Sequence, residues 1–109
     1  MLVRMPTTWS VLADPSRRAM LELLLERPRP VGELVDRLRL TQPGTSKHLR
    51  VLREAGLVQV RTEAQRRVYA IDPGPLAELD VWLAPYRRLW NERLDELGRH
   101  LDRMSTEEE

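Results

Sequence analysis

Gln42, Gly44, Ser46, Lys47, His48, Arg50 and Arg53 lie within a dozen residues of one another, and most carry a donor that a polyanion could use. Arg and Lys can donate to guanine O6 and N7 or to phosphate, while Ser and Gln can reach base edges or backbone oxygens. With Thr45, Leu49 and Leu52 as the buried side of a helix, the spacing turns Ser46, Lys47, Arg50, Arg53 and Glu54 outward. That face has what the major groove of a DNA duplex asks for, and the helix N-terminus itself favours a phosphate. His48 is expected to pack or to hydrogen-bond a phosphate. Arg66 and Arg67 fall near the tip of an expected hairpin, where contact with phosphate or the minor groove suits them better than base reading.

These residues need elements to hold them. Thr41 is an N-cap for a helix over 42–55, and Gly56 supplies its left-handed stop. Before it, Val31, Leu34, Val35 and Leu38 recur at i, i+3, i+4 and i+7, with Glu33, Asp36 and Arg37 pointing elsewhere; Arg39-Leu40 makes the turn. Asp14-Pro15 starts an earlier helix, with Met20, Leu23 and Leu24 on one stripe and Leu21 and Leu25 beside it, ending at Pro28. A shorter helix is expected over 8–13. After Gly56 the period changes to two, so 57–62 and 67–71 read as a hairpin joined by 63–66 and ended by Asp72-Pro73-Gly74-Pro75. From Leu76 to Met104, apolar residues return at three- and four-residue steps, giving one long helix or two with a kink at Pro85. Two helices across a short turn, followed directly by a hairpin, make a helix-turn-helix with a wing. The expected fold is mainly α with a small β-hairpin, in the order α-α-α-α-β-β-α.

A formal charge of +1 speaks at first against a nucleic-acid binder. Residues 1–40 hold seven basic and five acidic side chains, residues 41–71 six and two, and residues 72–109 five and ten. A segment of +4 is thus masked by a C-terminal segment of −5, and electrostatics act over roughly 8 Å at physiological salt, so the local figure governs docking. With 109 residues there is room for one domain, and burial by self-association is useful at this size. The absence of Cys excludes disulfide scaffolds, thiolate metal sites and cysteine nucleophiles. Two separated His and no glycine-rich phosphate loop leave no nucleophile–base set, so no enzyme and no cofactor are expected. Neither a membrane span nor an export signal is apparent, and a cytoplasmic location is the expectation.

Several separated segments resemble ArsR-type (ArsR/SmtB) winged helix-turn-helix transcriptional regulators. They are Leu12-Ala13-Asp14-Pro15-Ser16-Arg17-Arg18, Val31-Gly32-Glu33-Leu34, Gln42-Pro43 with Ser46-Lys47-His48-Leu49, Leu52-Arg53-Glu54-Ala55-Gly56-Leu57-Val58, and Arg66-Arg67-Val68-Tyr69. The resemblance covers about residues 10–72 and implies a homodimeric repressor that leaves a palindromic operator on a signal. The chain departs from the pattern at Arg39, where the turn usually carries Gly, at Gly44 in the first turn of the recognition helix, and at Thr45 in place of a branched aliphatic.

Many members sense metals through Cys or through Asp/His/Glu sets on the last helix. Here the first is absent, and the second reduces to His100 with Glu96, a pair that more often makes a surface contact, so no metal is expected. Trp82-Leu83-Ala84-Pro85-Tyr86-Arg87-Arg88-Leu89-Trp90 is similar to the C-terminal segment of a subgroup without metal ligands. Leu79, Trp82, Leu83, Tyr86, Trp90, Leu94 and Leu97 form a stripe too long for a small winged helix to cover, so a second copy is expected to cover it, with Trp9 contributing. The domain organisation follows: a DNA-binding core over 8–72, a dimerisation helix over 75–104 and a disordered tail over 105–109. Two alternatives remain open: a winged-helix module that binds an acidic protein, and a metal-responsive repressor using His100 and Glu96. Whether a small-molecule inducer binds is open.

Overall fold

The computed structural model describes the backbone of residues 4–108 and the side chains of residues 8–106. Along the chain run α1 (Arg4–Leu12), α2 (Pro15–Glu26), β1 (Arg29–Pro30), α3 (Val31–Leu38), α4 (Gln42–Glu54), β2 (Val58–Glu63), β3 (Arg66–Ile71) and α5 (Gly74–Glu108). The first helix was expected over 8–13 and instead begins four residues earlier. Asp14 does cap α2: its Oδ1 accepts from the backbone N–H of Ser16 at 2.8 Å and of Arg17 at 3.2 Å.

Residues 1–77 form one compact unit and residues 78–109 another. In the first, Met20, Leu24, Leu34, Leu49, Leu52 and Leu57 are at most 2% exposed and make the centre of the core, with Tyr69 of β3 beside them. On α2 the stripe is shifted from the one expected: Leu21 is buried, Leu23 is half-buried and Leu25 is exposed. Three consecutive leucines leave the helical phase ambiguous, and packing against α3 and β3 decides it. On α3 only Leu34 is fully buried, flanked by half-buried Val31, Val35 and Leu38.

The sheet has three strands, in the order β1-β3-β2 and antiparallel throughout, where a hairpin alone was expected. Arg29 pairs with Tyr69 and Pro30 with Val68, an edge position where a proline loses no ladder bond. Arg29 is 2% exposed. Its Nε donates to the Leu23 carbonyl at 2.9 Å, its Nη1 to Glu33 Oε1 at 2.5 Å, and its Nη2 lies 3.4 Å from Glu26 Oε1. Arg27 pairs with the same Glu33 carboxylate. Glu33 therefore points off the apolar face of α3, as the spacing predicts, and toward this buried guanidinium.

The hairpin pairs Val58 with Ile71 through Glu63 with Arg66, leaving Ala64 and Gln65 as a two-residue turn. Ala64 takes a left-handed φ of 56°, which lets the strands pair closer to the tip than the expected four-residue connection allows. Arg39 is left-handed as well, at φ 55° and ψ 40°, and its N–H donates to the Val35 carbonyl. Glycine adopts this conformation without the Cβ penalty. Arg39→Gly is expected to raise stability by up to about 1 kcal/mol in urea unfolding, with the gain limited by the larger entropy of an unfolded glycine.

In the second unit α5 continues without interruption, and Pro85 lies within it, so a single helix replaces the alternative of two. Asp80 pairs with Arg87, and the rings of Trp82 and Tyr86 stack at a centroid distance of 4.9 Å. Every residue from Pro85 to Thr106 is exposed in the single chain. Residues 105–108, expected as a disordered tail, are helical: the Thr106 hydroxyl donates to the Asp102 carbonyl at 3.0 Å and glutamate is a good helix former.

Candidate nucleic-acid interface

α4 is held from three directions. At its start, Thr41 Oγ1 accepts from the Gly44 N–H at 3.1 Å, and the Thr41 carbonyl accepts both the Thr45 N–H at 2.9 Å and the Thr45 hydroxyl at 2.8 Å. A Cβ on residue 44 would stand 2.9 Å from Thr41 Oγ1, so the cap that starts the helix also requires Gly44. Thr45 tolerates full burial because its hydroxyl is satisfied within this turn. At its end, Gly56, with φ 77°, donates to the Arg53 carbonyl and Leu57 donates to the Leu52 carbonyl, both at 2.9 Å. This is a Schellman stop, and the buried Leu52 and Leu57 are the hydrophobic pair that accompanies it. On the inner side Thr45, Leu49 and Leu52 are fully buried, as the spacing predicts.

The outer side then follows from geometry. Gln42, Ser46, Lys47, Arg50 and Arg53 are exposed, and Gly44 and His48 are half-buried at its margin. Among the described residues Lys47, Arg50, Arg53, Arg66 and Arg67 enter no salt bridge, so their charges are available to an incoming anion. Arg66 and Arg67 are exposed at the wing, opposite Glu63 and Thr62. The wing's base is fastened by the Asp72 N–H donating to the Leu57 carbonyl at 2.8 Å and by the Gln59 amide donating to Asp72 Oδ2 at 2.9 Å. Two neighbours escaped the sequence expectations. Arg61 pairs with Glu63 at 3.2 Å on the wing, and Arg17 of α2 brings its Nη1 to 3.4 Å from His48 Nδ1. The second had no periodic signal, because it joins side chains 31 residues apart.

Three carboxylates titrate below their ordinary range. The Arg27 hydrogen bond is the main reason at Glu33, opposed by burial and reinforced by Arg29. At Asp14 burial pushes upward, but the backbone N–H groups of Arg17 and Ser16 outweigh it, with His48 and Arg17 adding to the depression. At Asp72 the Gly74 N–H is the main cause and the Gln59 amide the second. A depressed carboxylate stabilises the fold above its unfolded value, here 3.8 for Asp and 4.5 for Glu, and that stability is lost as pH falls through the lower folded values. Unfolding midpoints in urea should thus decline below the ordinary Glu value, and Asp72→Asn should flatten the decline.

The candidate interface residues on α5 are also placed. Trp82, Tyr86, Trp90, Leu94 and Leu97 are exposed, as is Trp9 on α1, whereas Leu79 and Leu83 are half-buried. His100 and Glu96 are exposed, and the described residues of one chain contain no group of three or more His, Asp or Glu able to hold a metal ion. No helix among the described residues is long and apolar enough to cross a membrane.

A capped helix packed across a left-handed turn on its predecessor, followed by a two-stranded wing, defines a winged helix-turn-helix protein. The family described as "Bacterial regulatory protein, arsR family" matches residues 14–60. The HTH-type transcriptional regulator Rv2034 of Mycobacterium tuberculosis is 42% identical over 94 residues, covering 86% of this chain and 85% of that protein. The biofilm growth-associated repressor of Agrobacterium fabrum is 40% identical over 68 residues, covering 62% of this chain and 58% of that protein. The crystal structure of an ArsR family transcriptional regulator, RHA00566, superposes with a TM-score of 0.73 at 30% identity, covering 84% of this chain and 94% of that one. The chain belongs to the ArsR family of transcriptional regulators.

Proposed function

We propose that this regulator is a cytoplasmic homodimer that binds an inverted-repeat DNA operator and represses transcription from it. The observation that carries the reading is the two-sidedness of α4. Its Thr45, Leu49 and Leu52 side is wholly buried, and its opposite side presents Ser46, Lys47, Arg50 and Arg53 to solvent without salt bridges. In this reading α4 enters the major groove, with Gln42, Gly44 and His48 at its margin, and Arg66 and Arg67 of the wing meet phosphate or the minor groove.

The surface of the single chain supports a second copy. Trp82, Tyr86, Trp90, Leu94 and Leu97, with Leu79, Leu83 and Trp9, supply apolar area for a symmetric interface. Two copies of α4 would then read half-sites about 34 Å apart. The repressor sense draws on the name of the Agrobacterium relative.

The test is a set of variants on a duplex selected by the protein from a random pool. The pool should yield an inverted repeat. Arg50→Ala and Lys47→Ala should each weaken binding by about 1–3 kcal/mol if they touch base edges. Arg66→Ala should instead lower the salt slope by about one, the mark of a phosphate contact. If no duplex is enriched while an acidic protein is bound through the same face, the chain is a protein-interaction module.

A further inference from the structure

The contact between Arg17 and His48 joins the first turn of α2 to the middle of α4, and nothing in the packing of the core requires it. Arg17 is anchored twice: its backbone N–H donates to Asp14 Oδ1 at 3.2 Å, and its Nε donates to the Val11 carbonyl at 2.7 Å. This fixes the plane of the guanidinium, whose Nη1 then stands 3.4 Å from His48 Nδ1. A guanidinium has donors only and keeps its charge. The imidazole can meet it solely through a lone pair on Nδ1, which places the ring proton on Nε2. His48 is half-buried, with Lys47 exposed beside it and Arg50 exposed two residues on.

The geometry points to Arg17 as a positioning residue for DNA binding: its guanidinium, facing Nδ1, orients the His48 ring so that Nε2–H is a fixed donor to a phosphate oxygen at the edge of the α4 interface. The inference rests on the reading of α4 as the DNA-facing helix. It gives His48 a role that Lys47 and Arg50 cannot fill, because a ring donor of fixed direction discriminates by position where a flexible cation attracts by charge. Asp14, the N-cap of α2, interacts electrostatically with both His48 and Arg17 and accepts the backbone N–H groups of Ser16 and Arg17 in the same turn.

Histidine-selective nitrogen NMR on the free, full-length protein at mildly alkaline pH tests the tautomer. His48 should show an unprotonated Nδ1 and a protonated Nε2, and Arg17→Leu should shift both signals toward the average of the two tautomers. On the pool-selected duplex, Arg17→Leu should weaken binding roughly three- to tenfold, the range for the loss of one ordinary hydrogen bond. His48→Ala should do the same, and the double variant should be no weaker than either single one. Arg17 also holds the Val11 carbonyl, so His48→Gln provides a reading independent of folding. It keeps a donor near the Nε2 position, should bind within twofold of native, and should make Arg17→Leu silent. Mixed tautomers in the native protein, or additive losses in the double variant, would overturn the inference while DNA binding stands. A native protein that binds no duplex would overturn the reading of α4 and this inference with it.

Discussion

Glutamates placed together at Trp90 and Leu94 are expected to turn the protein into a monomer in sedimentation experiments and to lower its affinity for a two-half-site duplex by roughly 10²–10⁴-fold. The two positions are one helical turn apart on α5, and both side chains are exposed in the single chain. Neither is a member of the hydrophobic core cluster, so helicity and the capped start of α4 should survive. A symmetric interface would bring four carboxylates into an apolar seam, where each unpaired charge is costly to desolvate. The affinity loss follows from geometry rather than from any lost DNA contact: the second α4 of a dimer meets its half-site at the effective concentration set by the first, and a monomer forfeits that advantage. A variant that remains dimeric would place the interface elsewhere.

Arg29→Ala carries the largest expected effect on the fold, a loss of about 1–3 kcal/mol in urea unfolding, the cost of leaving a buried acceptor without its donor. The guanidinium is nearly inaccessible and satisfies the Leu23 carbonyl, Glu33 and Glu26 together. Truncation leaves the Leu23 carbonyl without its side-chain donor, leaves Glu33 with Arg27 alone, and opens a space between α2, α3 and β3. Arg29→Met, which fills much of that space without a charge, should recover part of the loss. Because β1 borders β3, wing mobility should rise along with the loss, visible as faster amide exchange at Val68 and Tyr69. A cost below about 1 kcal/mol would mean that the pair is solvated and structurally idle.

The contrast between these two sites shows what a linear sequence can reveal. Thr45, Leu49 and Leu52 repeat at the helical period, so the inner side of α4, and with it the exposed donors, could be assigned before any coordinates. The capping residues Asp14, Thr41 and Gly56 carry their conformational preferences in their types. Arg29 has no such mark: a buried arginine in a two-residue strand shows neither period nor composition, and its location emerges only when α2, α3 and β3 converge on it. The same holds for Arg17 and His48, which are far apart along the chain. Leu21 and Leu23 exchanged expected places because a run of leucines fits more than one helical phase. Ala64 concealed a tight turn that a glycine or asparagine would have announced. At Arg39 the departure from glycine was visible, and the left-handed conformation explains why glycine is usual there.

The exposed side of α4 and the wing are proposed to bind duplex DNA through a locally basic surface despite a whole-chain charge of +1. Fluorescence anisotropy of the native protein on a labelled fragment of its own promoter, repeated across a series of salt concentrations, addresses it directly. Binding should saturate, and its logarithmic affinity should fall linearly with the logarithm of salt concentration, as phosphate contacts release counterions. Binding that is absent at low salt, or that does not change with salt, would contradict it.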